Sequence, residues 1–392
     1  MLKRNNINRL LYFLFIIAAV IGCKEVYEPN ISSPPTGYLV VDGFINSARG
    51  VSTNNLTRTT KLIDDVAIIY EFNAKVSIEG DNNESYPLFE GVSGTYTSAV
   101  LNLNAASKYR IKINTQDGKE YLSEFTAVKN TPVIDSISWQ REDGGVQTYI
   151  NTHDAQSTNK YYQWKYEETW QIQSFFLSTV KYVYDPATSN ISGVEWRDPL
   201  TLSPDTTITN CWQSYTSRNI IIGSSEKLST DRIHLPLAYI EPASVQLSVL
   251  YSVELKQYAL SLGAYMFYDQ MRKNTEQLGS IFDAQPSELK GNIQCVTDPS
   301  EIVIGYVEVT EEQTKRIFIS NKQVEDWGFN LGCSSFAIDN HPDSILKYGI
   351  GLMPTYAKTI SPFQDIVDFY ASQPICVDCT LRGSNDKPSF WP

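Results

Sequence analysis

Tyr109-Arg110-Ile111-Lys112-Ile113-Asn114 alternates apolar and polar residues, and Asp117-Gly118 stands between it and Glu120-Tyr121-Leu122. Period-two alternation puts Tyr109, Ile111 and Ile113 on one face of a strand. An Asp-Gly pair between two such runs signals a hairpin. The same pattern extends upstream. Ala74-Lys75-Val76-Ser77-Ile78-Glu79 alternates and stops at Gly80-Asp81-Asn82-Asn83, and Tyr38-Leu39-Val40-Val41-Asp42-Gly43-Phe44-Ile45 is a β-branched run ending at Asn46-Ser47. Short strands separated by turn signals predict a β-sandwich over 38–131, immunoglobulin-like in architecture, with Thr131-Pro132 as its boundary.

Beyond that boundary the strand signals continue. Ile134-Asp135-Ser136-Ile137-Ser138-Trp139 alternates, and Tyr161-Tyr162-Gln163-Trp164-Lys165-Tyr166-Glu167-Glu168-Thr169-Trp170 is the densest aromatic stretch. On a strand, Trp164, Tyr166 and Glu168 share one face, while Tyr161, Gln163, Lys165, Glu167 and Thr169 share the other. Val245 to Tyr258 reads as a strand pair or one long strand, and Ile302–Val309 and Arg316–Ile319 as further strands. One segment, near 261–278, is helical: Leu262, Tyr265, Met266 and Leu278 approximate an apolar stripe, with Asp269, Arg272, Lys273 and Glu276 opposite. Ser261 is its N-cap and Gly279 its stop. The fold class is therefore mainly β, with the sandwich followed over 132–392 by a larger β-rich domain that holds this helix and a cysteine-containing tail. A chain of 392 residues exceeds what one core usually serves.

The N-terminus has a different character. Lys3, Arg4 and Arg9 precede thirteen uncharged residues, Leu10 to Gly22, closed by Val20-Ile21-Gly22-Cys23. That is the secretory signal pattern, and the run is too short to span a bilayer, which needs about 20 residues. A cysteine after the small residue resembles the lipobox of bacterial lipoproteins, so residues 1–22 are expected to be removed and Cys23 acylated. Residues 23–37, with Pro29, Pro34 and Pro35, then form a lipidated tether. Losing three bases and no acids moves the formal net charge from −12 to −15. Such a balance argues against nucleic acid as a partner and leaves membrane attachment to the acyl chains.

Besides Cys23, the cysteines are Cys211, Cys295, Cys333, Cys376 and Cys379. In an exported chain these are disulfide candidates, and their odd number leaves at least one free. Cys376-Val377-Asp378-Cys379 lacks a second ligand pair for zinc, so no metal site is expected. The pairing stays open: Cys376 and Cys379 join each other or two of the remaining three.

Three stretches resemble a known family: the lipobox with its tether, Leu39-Val40-Val41-Asp42-Gly43-Phe44-Ile45, and Tyr161–Trp170. So do Gly279-Ser280-Ile281-Phe282-Asp283 running into Gly291-Asn292-Ile293, Gly305-Tyr306, and the ending Cys376–Thr380 to Lys387-Pro388-Ser389-Phe390-Trp391. Together they resemble outer-membrane lipoproteins of Bacteroidota known as domain of unknown function four-two-four-nine. The resemblance implies an accessory of a TonB-dependent receptor, lipid-anchored in the outer membrane and facing the surface or the periplasm. Glu25 and Glu28 beside Cys23 resemble the signal for the cell surface, which is the expectation. It supplies no catalytic residues.

Candidate chemistry is sparse. His153, His234 and His341 show no metal-ligand spacing. Ser224-Ser225-Glu226-Lys227 has the SxxK spacing of serine acyl transferases without the companion elements. Glu167 and Glu168 are adjacent on a strand, so they point to opposite faces and cannot flank one glycosidic bond. Trp164 and Tyr166 fit either a carbohydrate-stacking platform or the sandwich core, and a half-buried strand favours the core. The expectation is a non-catalytic, ligand-binding accessory lipoprotein with no cofactor beyond the lipid on Cys23. A structural component of an outer-membrane complex is the alternative, and a hydrolase with an unrecognised site the third reading.

Overall fold

The computed structural model of the protein describes residues 37–48, 50–60, 68–276, 289–363 and 365–392. The expected signal peptide, the lipidation site Cys23, the tether up to residue 36 and the expected helix end at Leu278-Gly279 lie outside the described residues.

The alternating runs form the strands expected of them. Lys108–Asn114 pairs antiparallel with Glu120–Ser123, and the Thr115 N–H donates to the Lys119 carbonyl at 3.0 Å. Gly118 occupies φ 85°, the left-handed conformation glycine adopts without a Cβ penalty. The sheet runs Ile293–Cys295, Glu120–Ser123, Lys108–Asn114, Lys75–Gly80, Ser85–Glu90, Thr95–Ser98, Thr53–Arg58, Leu39–Gly43, Val303–Gly305. Its two edge strands come from one short segment, so the sheet must roll back on itself. Inside the roll lie Leu39, Val41, Ile78, Ile111, Ile113 and Tyr121.

This corrects the boundary at Thr131-Pro132, because the body expected to end there is completed by residues 293–310. Val303–Gly305 pairs parallel with Leu39–Gly43, and Val309-Thr310 parallel with Ile45-Asn46. Parallel partners need a long crossover. Here the central body is that crossover. The stretch read as a single strand, Ile302–Val309, is accordingly split between two pairings.

The central body packs two sheets. One orders Asn210–Thr216, Tyr161–Gln173, Leu250–Leu260 and Gln313–Ser320, and the other Ile134–Glu142, Gly145–His153 and Arg232–Ile240. Trp164, Tyr166, Tyr251 and Leu255 from the first sheet share a core with Ile137, Val146, Ile150 and Ile240 from the second. The buried indole N–H of Trp164 donates to Gln257 Oε1 at 2.8 Å. The core reading of Trp164 and Tyr166 therefore holds.

Glu168 follows them inward. It is 5% exposed and accepts from the Tyr251 hydroxyl at 2.6 Å. Burial pushes its pKa above the ordinary 4.5, with the Tyr251 hydrogen bond opposing. A carboxyl raised by folding costs stability once pH passes its unfolded-state pKa, and costs nothing below it. Glu168→Gln should therefore raise the urea midpoint at about pH 7.5, with the gain vanishing near about pH 4, where both states of the wild type are protonated. An unchanged or lower midpoint at neutral pH would show that the Tyr251 hydrogen bond outweighs the burial cost.

Within the 132–392 region a third, distal lobe carries its own core. The hairpin Val180–Tyr184/Ile191–Trp196 and the sheet Ser335–Asp339, Ile366–Ser372, Met353–Ile360 enclose Val180, Ile338, Ile345 and Phe369. The tail fastens this lobe to the central body through Cys211–Cys379 and Cys333–Cys376. Cys295, buried in the first body, keeps a free thiol. Trp391 is 6% exposed and packs edge-on against Trp212 and Phe318.

The long helix is Leu262–Glu276, and Ser261 caps it, its Oγ accepting from the Ala264 N–H at 3.1 Å. The stripe is phased differently from expectation. Leu262 and Met266 are 52% and 62% exposed, whereas Ala264, Phe267 and Tyr268 are buried, with Met271 packed against the same cluster. Those four residues hold the i, i+3, i+4, i+7 spacing of a true helical face.

Candidate functional site

Where the first body meets the central body, the surface opens into a cleft of about 870 Å³. One wall is built by Leu39–Gly43 and its neighbour Thr53–Arg58, which supply Asp42, Thr53 and Asn55. The facing wall is the outward face of Tyr161–Gln173. Its alternation sends Trp164 and Tyr166 into the core and leaves Gln163, Lys165 and Glu167 on the cleft. The helix adds Phe267, Tyr268 and Met271.

An ion pair joins the two walls: Lys165 Nζ lies 3.1 and 3.3 Å from the carboxylate oxygens of Asp42. The same ammonium stands 5.5 Å from the centre of the Phe44 ring, a cation–π distance. Phe44 in turn stacks on Tyr258 with centroids 4.1 Å apart. Lys256 pairs with Glu312 at 3.7 Å, and the Tyr258 hydroxyl donates to the same carboxylate. Burial, reinforced by Glu312, pushes the Tyr258 phenol far above its ordinary pKa. Burial, reinforced by Asp42 and Glu308, does the same to Tyr268. Both stay protonated at neutral pH and act as donors or packing groups.

Several polar groups of the cleft are left over. The side chains of half-buried Glu167 and exposed Arg218 have no hydrogen-bond or ion-pair partner among the described residues. Gln163 is 4% exposed, and its carbonyl oxygen has no donor. Asp42 and Asn55 also border a smaller hollow of about 530 Å³ with Thr57, Arg58 and Thr59, so the groove continues along the first wall.

Apart from Glu167, the residues flagged by motif lie outside the cleft, and His153 and His234 share only the neighbouring strands Gly145–His153 and Arg232–Ile240. His153 Nδ1 meets Asp135 at 2.7 Å, His234 stacks on Tyr149, and His341 caps the short helix Pro342–Tyr348. Ser224 Oγ accepts from the Glu226 N–H at 3.1 Å, a local turn bond. Among the described residues no group of His, Cys, Asp and Glu is arranged to hold a metal ion. Glu168 is buried on the face opposite Glu167, as adjacent strand residues must be. Sequence reasoning missed Asp42, Gln163, Lys165, Glu167 and Arg218 as a set. The available signal was the polar face of the Tyr161–Trp170 strand and an acid set within Val40-Val41-Asp42-Gly43.

Fold and cleft define a class: a multi-lobed β protein whose first body is sewn to its second by returning strands, with a mixed polar and apolar cleft at the seam. The chain belongs to the family described as Domain of unknown function (DUF4249), whose model matches residues 24–316. No curated protein matches it in sequence. Among solved structures, chitinase ChiA74 from Bacillus thuringiensis is similar at 12% identity and a TM-score of 0.16, covering 51% of this chain and 29% of that one. The chain thus spans less than a third of the chitinase. A DUF3823 family protein from Bacteroides ovatus is similar at 8% identity and a TM-score of 0.14, covering 56% of this chain and 90% of that one. Likeness at these scores carries no argument about activity.

Proposed function

We propose that the protein is an outer-membrane lipoprotein of the Bacteroidota type, anchored through acylated Cys23, that serves as a non-catalytic ligand-binding accessory of a TonB-dependent receptor. The observation that supports it is the cleft between the first and central bodies. Four of its six charged groups are engaged in the pairs Asp42–Lys165 and Lys256–Glu312, while Glu167, Arg218 and the Gln163 amide oxygen stay unmatched. Unmatched polar groups around a partly apolar hollow are the makings of a binding site. The charged leader and the cysteine after Gly22 support the anchor.

The test uses the full chain, extracted in detergent from its own cells. Intact-mass analysis should show an acyl adduct on Cys23, a TonB-dependent receptor should co-purify, and Cys23→Ala should abolish both. An unacylated Cys23 with no receptor attached would overturn the proposal. A receptor complex indifferent to cleft substitutions such as Lys165→Glu, in both assembly and uptake, would favour a structural component instead.

A further inference from the structure

We infer that the cleft takes a short peptide with free termini, a conclusion that rests on the cleft being the ligand site. Charge is the first argument. The lining holds three acids, Asp42, Glu167 and Glu312, and three bases, Lys165, Lys256 and Arg218, so it is balanced in a chain of net charge −12. Neither a polyanion nor a polycation is favoured by a balanced lining. Four of the six are consumed by the pairs Asp42–Lys165 and Lys256–Glu312. The remaining two, Glu167 and Arg218, have opposite sign and do not pair with each other. They therefore complement a ligand that carries an ammonium and a carboxylate. Arg218 offers the planar, bidentate recognition that suits a carboxylate terminus.

The second argument is Gln163. Its amide oxygen is sealed without a donor, and its amide N–H groups have no acceptor among the described residues, so a ligand carbonyl in the cleft is the partner they lack. The amide turns readily about its last torsion. A peptide unit, which offers both an N–H and a C=O, satisfies either orientation.

The third argument is the apolar lining. Sugar recognition uses open aromatic faces. The aromatic residues here, Phe44, Tyr166, Tyr258, Phe267 and Tyr268, are each at most 9% exposed, and Phe44 and Tyr258 use their faces on one another. What remains beside the charged groups includes Val51, Ile220, Met271 and Ile304, surfaces suited to aliphatic side chains. The volume falls within the range of about 300–1,000 Å³ typical of small-ligand pockets.

The experiment incubates the full chain in detergent with a pool of random tripeptides bearing free termini. The same pool N-acetylated, the same pool C-amidated, and maltotriose are run in parallel. Material retained through gel filtration is read by mass spectrometry. The free pool should be retained, and blocking either terminus should lower retention by at least about tenfold, the factor that about 1.4 kcal/mol supplies. Glu167→Gln should erase the difference between free and acetylated peptides, and Arg218→Met that between free and amidated ones, with the melting temperature unchanged. Equal retention of the free, acetylated and amidated pools would overturn the inference. Retention of maltotriose but not peptide overturns the peptide assignment and leaves the cleft as a ligand site. Retention of neither overturns both.

Discussion

Serine at both Cys376 and Cys379 should unfasten the distal lobe and lower its unfolding midpoint well below that of the rest of the chain. The two bridges close stretches with sequence separations of 168 and 43 residues. In the chain-entropy picture a cross-link restricts the unfolded ensemble by an amount that grows with the logarithm of the loop, about 4–5 kcal/mol for loops of this order. The loops share their tail anchor, so the combined effect is less than the sum. Whole domains are stable by only about 5–15 kcal/mol, which makes either bridge a large fraction of the lobe's stability. The lobe's core is also the smaller one, built around Val180, Ile338, Ile345 and Phe369. Urea unfolding with and without reductant, followed by limited proteolysis, is the measurement. The double variant should release a tail fragment containing Trp391 under conditions in which the oxidised protein stays whole. A tail equally resistant in both would mean that the packing of Trp391 on Trp212 and Phe318 suffices to hold it.

Cysteine arithmetic announced this fastening without specifying it. Oxidised tail cysteines and at least one free thiol are what five candidates imply for a chain expected to be exported, but connectivity is a matter of which strands become neighbours. Cys211 lies on the strand Asn210–Thr216, at the edge of the sheet containing Tyr161–Gln173, and nothing local ties it to a residue so far downstream. The same limit explains the misplaced boundary. Alternation at Tyr109–Asn114 and the turn at Asp117-Gly118 are local and legible, whereas the parallel pairing of Val303–Gly305 with Leu39–Gly43 depends on a crossover through the whole central body. The helix phase was misread because Leu262 and Met266 look apolar enough for a core, although Phe267 and Tyr268 bury more surface one step round. The cleft was half legible. The split of the aromatic strand into two faces put Lys165 and Glu167 together, but Asp42 and Arg218 come from other segments, and only the assembled fold sets Asp42 against Lys165 and brings Arg218 in beside the strand Tyr161–Gln173.

Gly291→Ala should destabilise the first body by about 3 kcal/mol or more, at the upper end of what one methyl group does. A Cβ at residue 291 would lie 1.7 Å from the carbonyl oxygen of Gly305, and one at residue 305 would lie 2.5 Å from the carbonyl oxygen of Val41. Backbone thus lies against backbone where the chain returns to complete the rolled sheet. Neither obstacle is the movable end of a side chain, so relief requires the strand Val303–Gly305 to leave its register with Leu39–Gly43. Asn292, the next residue, holds the same seam from the other side: its side chain accepts from the Val307 N–H and donates to the Val307 carbonyl, both at 2.9 Å. Displacing Gly291 therefore loosens a buried, two-bonded amide as well. Gly91→Ala is the control, since a Cβ there would meet nothing closer than the Thr95 carbonyl oxygen at 3.5 Å, an ordinary contact. Urea midpoints of the two variants should differ sharply, with Gly91→Ala within about 0.5 kcal/mol of wild type. The argument fails if Gly291→Ala unfolds where Gly91→Ala does, for then the seam yields to a methyl group, and the return strands only rest against the first body without closing it.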